Sequence, residues 1–409
     1  MAESINCSSD VRATLVAPAR PLVDFELSPE QAQFRDLIRD FARRSIAPVA
    51  REWELSGRYP AEIVDEMKAM GLFGILVPVE YGGTDIDAVS YAIVFEEISR
   101  AWMGVAGVLG THSLATWMLA RYGTPEQRGR WLPGLATGER RSGIGLTEPG
   151  AGSDLQGIAT VARRDGDHYI VSGTKTWITN ARHADPLPVL VKTDPLAQPR
   201  HRGMSILMVE AGTPGFSVGR NLDKLGYKGT ESAEVFLADC RVPVENLLGG
   251  EEGRGLQQAL SALEFGRVNI AGRAVGVAQA SLDRALAYAR QRQAFGRPIA
   301  EFQAIQLKLA DIATEVQAAR LLTWWAAAAL DAGRRADLET GMAKLYASEI
   351  CIKASLEAMR IHGGYGYSTE YEVERFYRDA PLMAIGEGTN DILRTVIARR
   401  LYRALEDDS

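Results

Sequence analysis

The residues best suited to chemistry lie near the C-terminus, where Glu387 stands between Gly386 and Gly388 in segment 385–391. Glycines let the backbone approach a flat ligand closely, and a carboxylate held against such a ligand is a candidate general base. A polar turn that precedes a helix has the same composition. The segment therefore indicates a candidate base, and other segments must decide between the two interpretations.

A second candidate is segment 145–157, which combines Gly, Pro, Thr and Ser at the start of a strand-rich region. Its backbone N–H groups and hydroxyls could line the edge of a heterocycle or hold a phosphate. An interdomain loop is equally rich in these residues. The residues alone favour neither interpretation.

Several other classes of site are excluded by composition. The sequence contains no Walker A loop, no G-x-G-x-x-G, no H-E-x-x-H and no G-x-S-x-G. Five unpaired His and the scattered Cys7, Cys240 and Cys351 predict no catalytic metal, no thiolate cluster and a reducing compartment. The net charge of −6 argues against a nucleic-acid partner. No apolar run reaches the ~18 residues that span a bilayer, so we expect no membrane partner and a cytoplasmic protein.

The elements that must position these candidates begin with a helical region. Residues 1–26 lack periodicity and a signal-peptide pattern, which predicts a flexible tail. Residues 27–141 are predicted to form an N-terminal α-helical domain, broken by a turn at 77–83. Capping boxes are predicted at Ser28 with Gln31 and at Thr124 with Gln127.

The hydrophobic pattern then changes twice. Residues 142–252 are rich in β-branched and bulky apolar residues separated by Gly, Pro and Asp, and they are predicted to form a middle β domain. Asp165-Gly166 is predicted to be a turn between two of its strands. Residues 253–409 are predicted to form a C-terminal four-helix bundle, with helices near 256–293, 303–333, 338–361 and 389–406. This order without alternation predicts an α+β multidomain fold and argues against a doubly wound sheet.

Several spaced motifs resemble those of one family. Segment 145–157 resembles the first signature of the acyl-CoA dehydrogenase family, and segment 360–367, continued by Arg378 and Asp379, resembles the second. Segments 177–180, 292–296 and 387–389 follow in the family's order. The resemblance covers roughly residues 27–405, and the family's helical–β–helical arrangement agrees with the one predicted above.

The resemblance implies FAD as the cofactor, bound between the β domain and the C-terminal bundle. Thr147 and the Leu146 backbone would meet the pyrimidine edge of the flavin, with Trp177 and Thr179 near N5. Arg292 would bind the pyrophosphate, which suits a bidentate guanidinium. Without the resemblance, Trp177 could be a buried strand aromatic and Arg292 a solvated helix-end residue. The complete cofactor set that the resemblance implies is Leu146, Thr147, Ser153, Trp177, Thr179, Arg292, Phe295, Gln303, Arg360, Gly363, Gly364, Thr389 and Asp391.

The resemblance also addresses the catalytic base. Relatives of the medium- and short-chain type carry it in the C-terminal E-G-T run, which is Glu387 here. Relatives similar to isovaleryl-CoA dehydrogenase carry it on a helix immediately before an arginine, and Gly266 stands there, before Arg267. The resemblance therefore implies Glu387 as the base.

The implied reaction is dehydrogenation of a fatty-acyl or related CoA thioester. Glu387 would abstract the α-proton while a hydride leaves the β-carbon for flavin N5, giving a trans-2-enoyl-CoA. The Glu387 backbone N–H and a ribityl hydroxyl would stabilise the carbonyl oxygen, and burial should raise the pKa of Glu387. The substrate-binding residues would be Ser153, Glu264, Arg267 and Gly388.

Two positions depart from the family pattern. Arg360 stands where the second signature has an acid or its amide, which leaves the contact with a neighbouring subunit's FAD open. Gly386 replaces the aromatic residue that precedes the base in the medium-chain type, and our hypothesis is that it admits branched or ring-bearing acyl groups. Trp102 and Met103 could line the acyl tunnel or belong to the ordinary core.

The resemblance further implies a homotetramer and an electron-transfer flavoprotein as electron acceptor. One alternative is a flavin acyl-CoA oxidase that passes electrons to oxygen. Another is a non-catalytic scaffold that binds flavin or CoA, although the intact Glu387 argues against it.

Overall fold

The computed structural model describes residues 26–407 of the 409-residue chain. The predicted flexible tail, residues 1–26, lies outside the described residues except for Glu26. The first region is helical, as predicted. Its helices are Pro29–Phe41 (α1), Ala47–Ser56 (α2), Ala61–Ala69 (α3), Ala88–Tyr122 (α4) and Pro125–Ala136 (α5).

Both predicted capping boxes are present. The Ser28 hydroxyl accepts from the Gln31 N–H at 3.2 Å, and the Gln31 side chain accepts from the Ser28 N–H at 3.1 Å. Thr124 and Gln127 repeat this pair of bonds at the start of α5. Each box satisfies two of the N–H groups that a helix N-terminus leaves unbonded, which is why these helices begin where they do.

Helix α4 is interrupted at Trp102, whose φ of −159° and ψ of 109° are not helical. The ring is almost fully buried and belongs to the core of the N-terminal region. Met103, by contrast, packs with Tyr227 and Ile270 in the core of the C-terminal region. The interruption thus lets successive residues of one helix join two different cores.

The middle region is a six-stranded sheet in the order β4-β3-β1-β2-β6-β5. Its strands are Val161–Asp165 (β1), His168–Thr179 (β2), Leu187–Lys192 (β3), Met204–Val209 (β4), Phe216–Asn221 (β5) and Ser232–Pro243 (β6). The predicted turn at Asp165-Gly166 closes an antiparallel hairpin in which Asp165 pairs with His168. A register shift in the pairing of β2 with β6 falls between Lys175 and Ile178. This bulge bends the strand beside Trp177.

The C-terminal region is helical again. Its elements are Gly255–Gln291 (α6), the hairpin strands Gln293–Ala294 (β7) and Arg297–Pro298 (β8), Gln303–Asp331 (α7), Asp337–His362 (α8), Val373–Ile385 (α9) and Asn390–Asp407 (α10). The four predicted helices correspond to α6, α7, α8 and α10. Helix α9 was not predicted, because buried Arg375 and Asp379 and the internal Pro381 interrupt its apolar stripe.

The helical–β–helical fold class is confirmed, while the domain bounds 27–141, 142–252 and 253–409 remain predictions. Within residues 26–407, no helix is both long enough and apolar enough to cross a membrane. In the same part of the chain, no group of three or more His, Cys, Asp or Glu side chains could hold a metal ion.

Candidate active site

Glu387 lies in the tight turn that joins α9 to α10. Its φ of +53° places a non-glycine residue in the left-handed region, and the following Gly388 has φ +93°. Such a conformation costs on the order of 1–3 kcal/mol and persists only where the surroundings enforce it. Here Lys344 of α8 enforces it: its Nζ donates to the Gly388 carbonyl at 2.8 Å and to Asn390 Oδ1 at 2.9 Å.

The turn directs the Glu387 carboxylate into the protein. Its Oε2 is fully enclosed and has no hydrogen-bond partner in the described part of the chain. Burial raises the pKa of Glu387 above its ordinary value, and the nearby cations Arg273, Lys344 and Arg267 act in the opposite direction. Glu387 as a whole is half-buried, but a carboxylate with one enclosed, unoccupied oxygen and a raised pKa is suited to accept a proton from a bound ligand.

Helix α6 forms the wall opposite this carboxylate. A Cβ on Gly266 would overlap Glu387 Oε2 and lie 2.9 Å from Cδ, so the carboxylate rests against a bare backbone. Arg267, the next residue, is buried, and its Nη1 donates to the Asp337 carbonyl at 3.4 Å. Burial also raises the pKa of Glu264, one turn earlier. The structure thus brings Glu264, Arg267, Glu387 and Gly388 together, whereas Ser153 is exposed in the loop of the β domain.

A buried ion pair between Lys175 and Glu148 fixes the segment that contains Leu146 and Thr147. Lys175 Nζ donates to Glu148 Oε1 at 2.8 Å and to the Leu146 carbonyl at 3.2 Å. Glu148 also accepts the N–H groups of Ala159 and Thr160 at 2.5 and 3.0 Å. The N–H groups of Leu146 and Thr147 donate to no other group within residues 26–407, which leaves them available to a ligand.

Trp177 is presented to solvent by the bulge in β2. Its φ is +61° and its side chain is 57% exposed, so it is not the buried strand aromatic that was the alternative interpretation. Thr179, two residues on, is buried. An exposed aromatic ring on a strained backbone is a ligand contact more readily than a core residue.

A second group of candidate residues surrounds a separate cavity of about 570 Å³. Arg292, Gly363 and Gly364 line it, and the Arg292 guanidinium lies 5.8 Å from the centre of the Tyr365 ring. Arg292 follows the end of α6, about 39 Å along the helix from Gly266 at 1.5 Å per residue. Within one chain, this cavity is therefore separate from the site around Glu387.

The remaining cofactor candidates are at the surface of the chain. Phe295, at the tip of the β7–β8 hairpin, is 95% exposed, and Gln303 is exposed as the first residue of α7. Arg360 pairs with Glu357 at 2.5 Å. Thr389 accepts the Ile392 N–H at 3.3 Å at the start of α10, and Asp391 pairs with Arg394 at 3.3 Å.

Sequence reasoning missed the buried charges that hold the site together: Lys175, Glu148, Lys344 and Arg273. Each is at least 93% buried, and Lys344 and Arg273 stand among small and apolar residues of their helices. A charged residue in an apolar helical or strand stripe is a signal for a buried network. The sequence shows that signal, but it does not show the hydrogen-bond partners of these residues. Asn390, a partner of Lys344, is 46 residues away in the chain.

These features define a class of protein. A helical–β–helical scaffold that holds an enclosed base against a helix, beside an exposed aromatic ring and free backbone donors, is that of flavoprotein oxidoreductases acting on acyl thioesters. The chain belongs to the acyl-CoA dehydrogenase family. Models of that family's N-terminal, middle and C-terminal domains match residues 28–139, 143–240 and 253–402.

Individual relatives agree with this assignment. A probable acyl-CoA dehydrogenase of Bacillus subtilis is 44% identical over 383 residues, which are 93% of this chain and 100% of the relative. The CarC subunit of the caffeyl-CoA reductase–Etf complex of Acetobacterium woodii is 42% identical over 379 residues, 92% of this chain and 99% of CarC. The structure of butyryl-CoA dehydrogenase from Megasphaera elsdenii matches with a TM-score of 0.90 and 37% identity, covering 93% of this chain and 100% of that chain.

Proposed function

We propose that this acyl-CoA dehydrogenase uses FAD and that Glu387 abstracts the α-proton of a short acyl-CoA, giving a trans-2-enoyl-CoA. The observation that supports this most directly is the enclosed, unpaired Oε2 of Glu387. A positioned general base contributes about 10²–10⁴-fold to the rate of proton transfer. Bound FAD would supply the acceptor for the hydride that leaves the β-carbon.

The residues present fit a flavin. Leu146 and Thr147 offer free backbone donors to the polar edge of a heterocycle, and Trp177 offers an exposed ring that could cover its face. The buried pair of Lys175 and Glu148 would keep this segment rigid. Thr179 would lie on the same side of the flavin as Trp177.

The Glu387 backbone would also act on the thioester. Its N–H donates to no group in the described chain, so it is free to hydrogen-bond the thioester carbonyl oxygen. Charge develops on that oxygen as the α-proton leaves, and a fixed donor there lowers the barrier. Ser153, Glu264, Arg267 and Gly388 would contact the CoA portion, with buried Arg267 available for its phosphates or amides.

We infer that a second subunit completes the cofactor site. Arg292 lies about 39 Å along α6 from Gly266, which contacts Glu387. The candidates at that end of the helix are Arg292, Phe295, Gln303, Arg360, Gly363 and Gly364. They would bind the adenine and pyrophosphate end of a neighbouring subunit's FAD, and Thr389 and Asp391 would contact the cofactor near the base. The almost fully exposed ring of Phe295 supports such an interface, and we propose a homotetramer.

We propose that electrons pass to an electron-transfer flavoprotein. Support comes from CarC, whose name places it in a complex with Etf. The proposal includes a cytoplasmic location, supported by the buried free thiols of Cys240 and Cys351.

We also propose that the acyl site admits bulk close to the reacting carbons. A Cβ on Gly386 would meet only Leu382, at 3.4 and 3.9 Å, so space is available beside Glu387. Branched or ring-bearing acyl groups would fit there. Turnover of unbranched acyl chains alone across a substrate panel would contradict this part of the proposal.

Anaerobic bleaching of the flavin absorbance by acyl-CoA thioesters tests the proposed reaction. We expect the wild type to bleach with at least one thioester, Glu387→Gln to lose at least about 10²-fold in the reduction rate, and Glu387→Asp to retain part of it. Full activity of Glu387→Gln with normal flavin content would overturn the assignment of the base. Hydrogen peroxide formed in step with product in air would identify an oxidase instead.

A further inference from the structure

Arg273 is a buried cation that the proposed reaction does not use. It lies on α6 two turns beyond Gly266 and is only 2% exposed. Its Nη1 donates to the Tyr227 hydroxyl at 3.2 Å, whereas its Nε and Nη2 have no hydrogen-bond partner. Among the described residues, no carboxylate is within ion-pair distance of it, and Glu387 interacts with it only through its charge. A buried guanidinium without an anion is costly, because its desolvation is not offset.

The two unpaired atoms lie on the same edge of the guanidinium. Nε and Nη2 together form the fork that binds a carboxylate through two parallel hydrogen bonds. The opposite edge is occupied by Tyr227. One complete bidentate edge is therefore unpaired and enclosed within the protein.

The neighbours of Arg273 are also polar. Asn269, one turn earlier, has an unpaired Oδ1, and its Nδ2 lies 3.4 Å from the Tyr91 hydroxyl. Tyr91 in turn lies 2.9 Å from Ser113 Oγ. These groups form a buried polar cluster between α4 and α6, where an unsubstituted acyl chain would require apolar side chains.

Helix α4 leaves room for this cluster through a glycine. A Cβ on Gly110 would overlap Arg273 Nη2 and lie 2.6 Å from Asn269 Nδ2. Any larger residue there would displace the guanidinium. The polar groups thus occupy a space that the facing helix is shaped to provide.

The cluster lies next to Glu387. Arg273 is the cation that most lowers the pKa of Glu387, and Glu387 in turn raises the pKa of Tyr91 and Tyr227. Along α6, Arg273 is about 10 Å from Gly266, and helical side chains point back toward the N-terminus. A short acyl chain whose α-carbon is at Glu387 would therefore end near the free edge of Arg273.

We propose that the substrate is a short acyl thioester whose far end carries a carboxylate, bound by Nε and Nη2 of Arg273. This rests on the proposed function and names its substrate class. The carboxylate supplies the anion that the buried guanidinium lacks, and Asn269 and Tyr227 surround it with polar groups. A methyl end would leave the cation buried and unpaired, so the site discriminates against it.

Matched substrate pairs test this proposal with the complete flavoprotein. Each pair compares an ω-carboxyacyl-CoA with its uncharged isostere, for example glutaryl-CoA with 5-methylhexanoyl-CoA, and kcat and KM are measured separately. We expect the carboxylate to be preferred by about 100-fold in kcat/KM in the wild type. Arg273→Met should abolish the preference, mainly through KM. It should also shift the rising limb of kcat/KM to higher pH equally for both members of the pair, because it removes the cation that most lowers the pKa of Glu387. Arg273→Lys, which keeps the charge but not the fork, should retain an intermediate preference.

The outcomes separate this proposal from the proposed reaction. If uncharged thioesters reduce the flavin and carboxylated ones do not, the reaction stands and the proposed substrate class is wrong. If Arg273→Met slows both members of a pair equally, Arg273 only balances the charge of Glu387. If no thioester reduces the flavin, both proposals fail. Should Arg273→Met not fold, the ratio of kcat/KM for the carboxylated and uncharged thioesters in the wild type still decides whether the proposed substrate class is right.

Discussion

The carboxylate of Glu387 rests against the bare backbone of Gly266, 121 residues earlier in the chain. A Cβ on Gly266 would overlap Oε2 and lie 2.9 Å from Cδ. Relatives resembling the medium-chain type carry the base at the position of Glu387, and those resembling the isovaleryl type carry it at the position of Gly266. Side chains at these two positions would therefore occupy the same space. A base at one position requires a small residue at the other. This steric conflict explains why the base occupies only one of the two positions.

Gly266→Ala should impair catalysis without unfolding the protein. Alanine improves helix propensity by roughly 1 kcal/mol over glycine, whereas overpacking costs about 1–3 kcal/mol, so the net destabilisation is about 0–2 kcal/mol. The carboxylate, however, must move away from the new methyl group. A displacement on the order of 1 Å costs about 10²-fold in rate. Stopped-flow flavin reduction should show this drop, while the thermal midpoint falls by no more than about 10 °C and the protein remains folded.

Moving the base provides the matched control. Glu387→Gly should be nearly inactive, and adding Gly266→Glu should restore part of the activity, because the new side chain enters the volume that Glu387 vacates. A double variant no faster than Glu387→Gly would show that proximity to Gly266 does not define the position of the base. Gly266→Ala at wild-type speed would contradict the steric argument directly.

Lys344→Met should move the activity of the enzyme to higher pH. Lys344 is buried, its pKa is lowered by burial to about 8, and its charge favours the ionised form of Glu387. Without that charge, the pKa of Glu387 rises further. A general base acts only when deprotonated, so the rising limb of kcat/KM against pH must shift upward.

Lys344→Arg separates charge from position. It keeps the cation but changes the bonds to Gly388 and Asn390, so it should lower kcat while leaving the pH of the limb near that of the wild type. If Lys344→Met lowers kcat/KM by the same factor at every pH, Lys344 only holds the turn.

Part of this architecture could be predicted from local patterns. The capping boxes at Ser28 and Thr124 and the turn at Asp165 are properties of a few adjacent residues, and all are present. Helix α9 was not predicted, because Arg375 and Asp379 are buried by partners outside the helix: Arg375 donates to the Ala101 carbonyl and Asp379 accepts the Tyr227 N–H. A stripe pattern cannot show such long-range compensation.

The same limit applies to the candidate site. Glu387 could be singled out by its flanking glycines and by resemblance, but its contact with Gly266 depends on how α6 packs against a distant turn. Arg273 stands in a run of small and apolar residues, which signals a buried charge without revealing its free edge. Residue types thus indicated the chemistry, whereas tertiary contacts determine its geometry.

Glu387→Gln should stabilise the protein at neutral pH. The folded-state pKa of Glu387 lies above the ordinary value of 4.5, so the folded protein retains that proton more tightly than the unfolded chain. Stability linked to this group is present below pH 4.5 and is lost as pH rises through the folded pKa. Glutamine does not titrate, so the thermal midpoint of the variant should exceed that of the wild type increasingly from pH 4.5 to neutral. A gap that stays constant or narrows over this range would contradict a raised pKa.

Lys175→Met should destabilise the protein and weaken its hold on the flavin. Lys175 is fully buried, and its loss leaves the 7%-exposed Glu148 without its countercharge, which costs up to about 3–5 kcal/mol and less where the Ala159 and Thr160 N–H groups offset it. The Leu146 carbonyl loses a hydrogen bond at the same time, so the segment proposed to contact the flavin is less well held. The urea midpoint and the flavin content after purification should both fall. Adding Glu148→Gln removes the stranded charge and keeps an acceptor for Ala159 or Thr160, so the double variant should recover much of the stability. If the double variant is no more stable than Lys175→Met, the stranded charge is not the cause of the loss, and the lost packing and hydrogen bonds of Lys175 account for it.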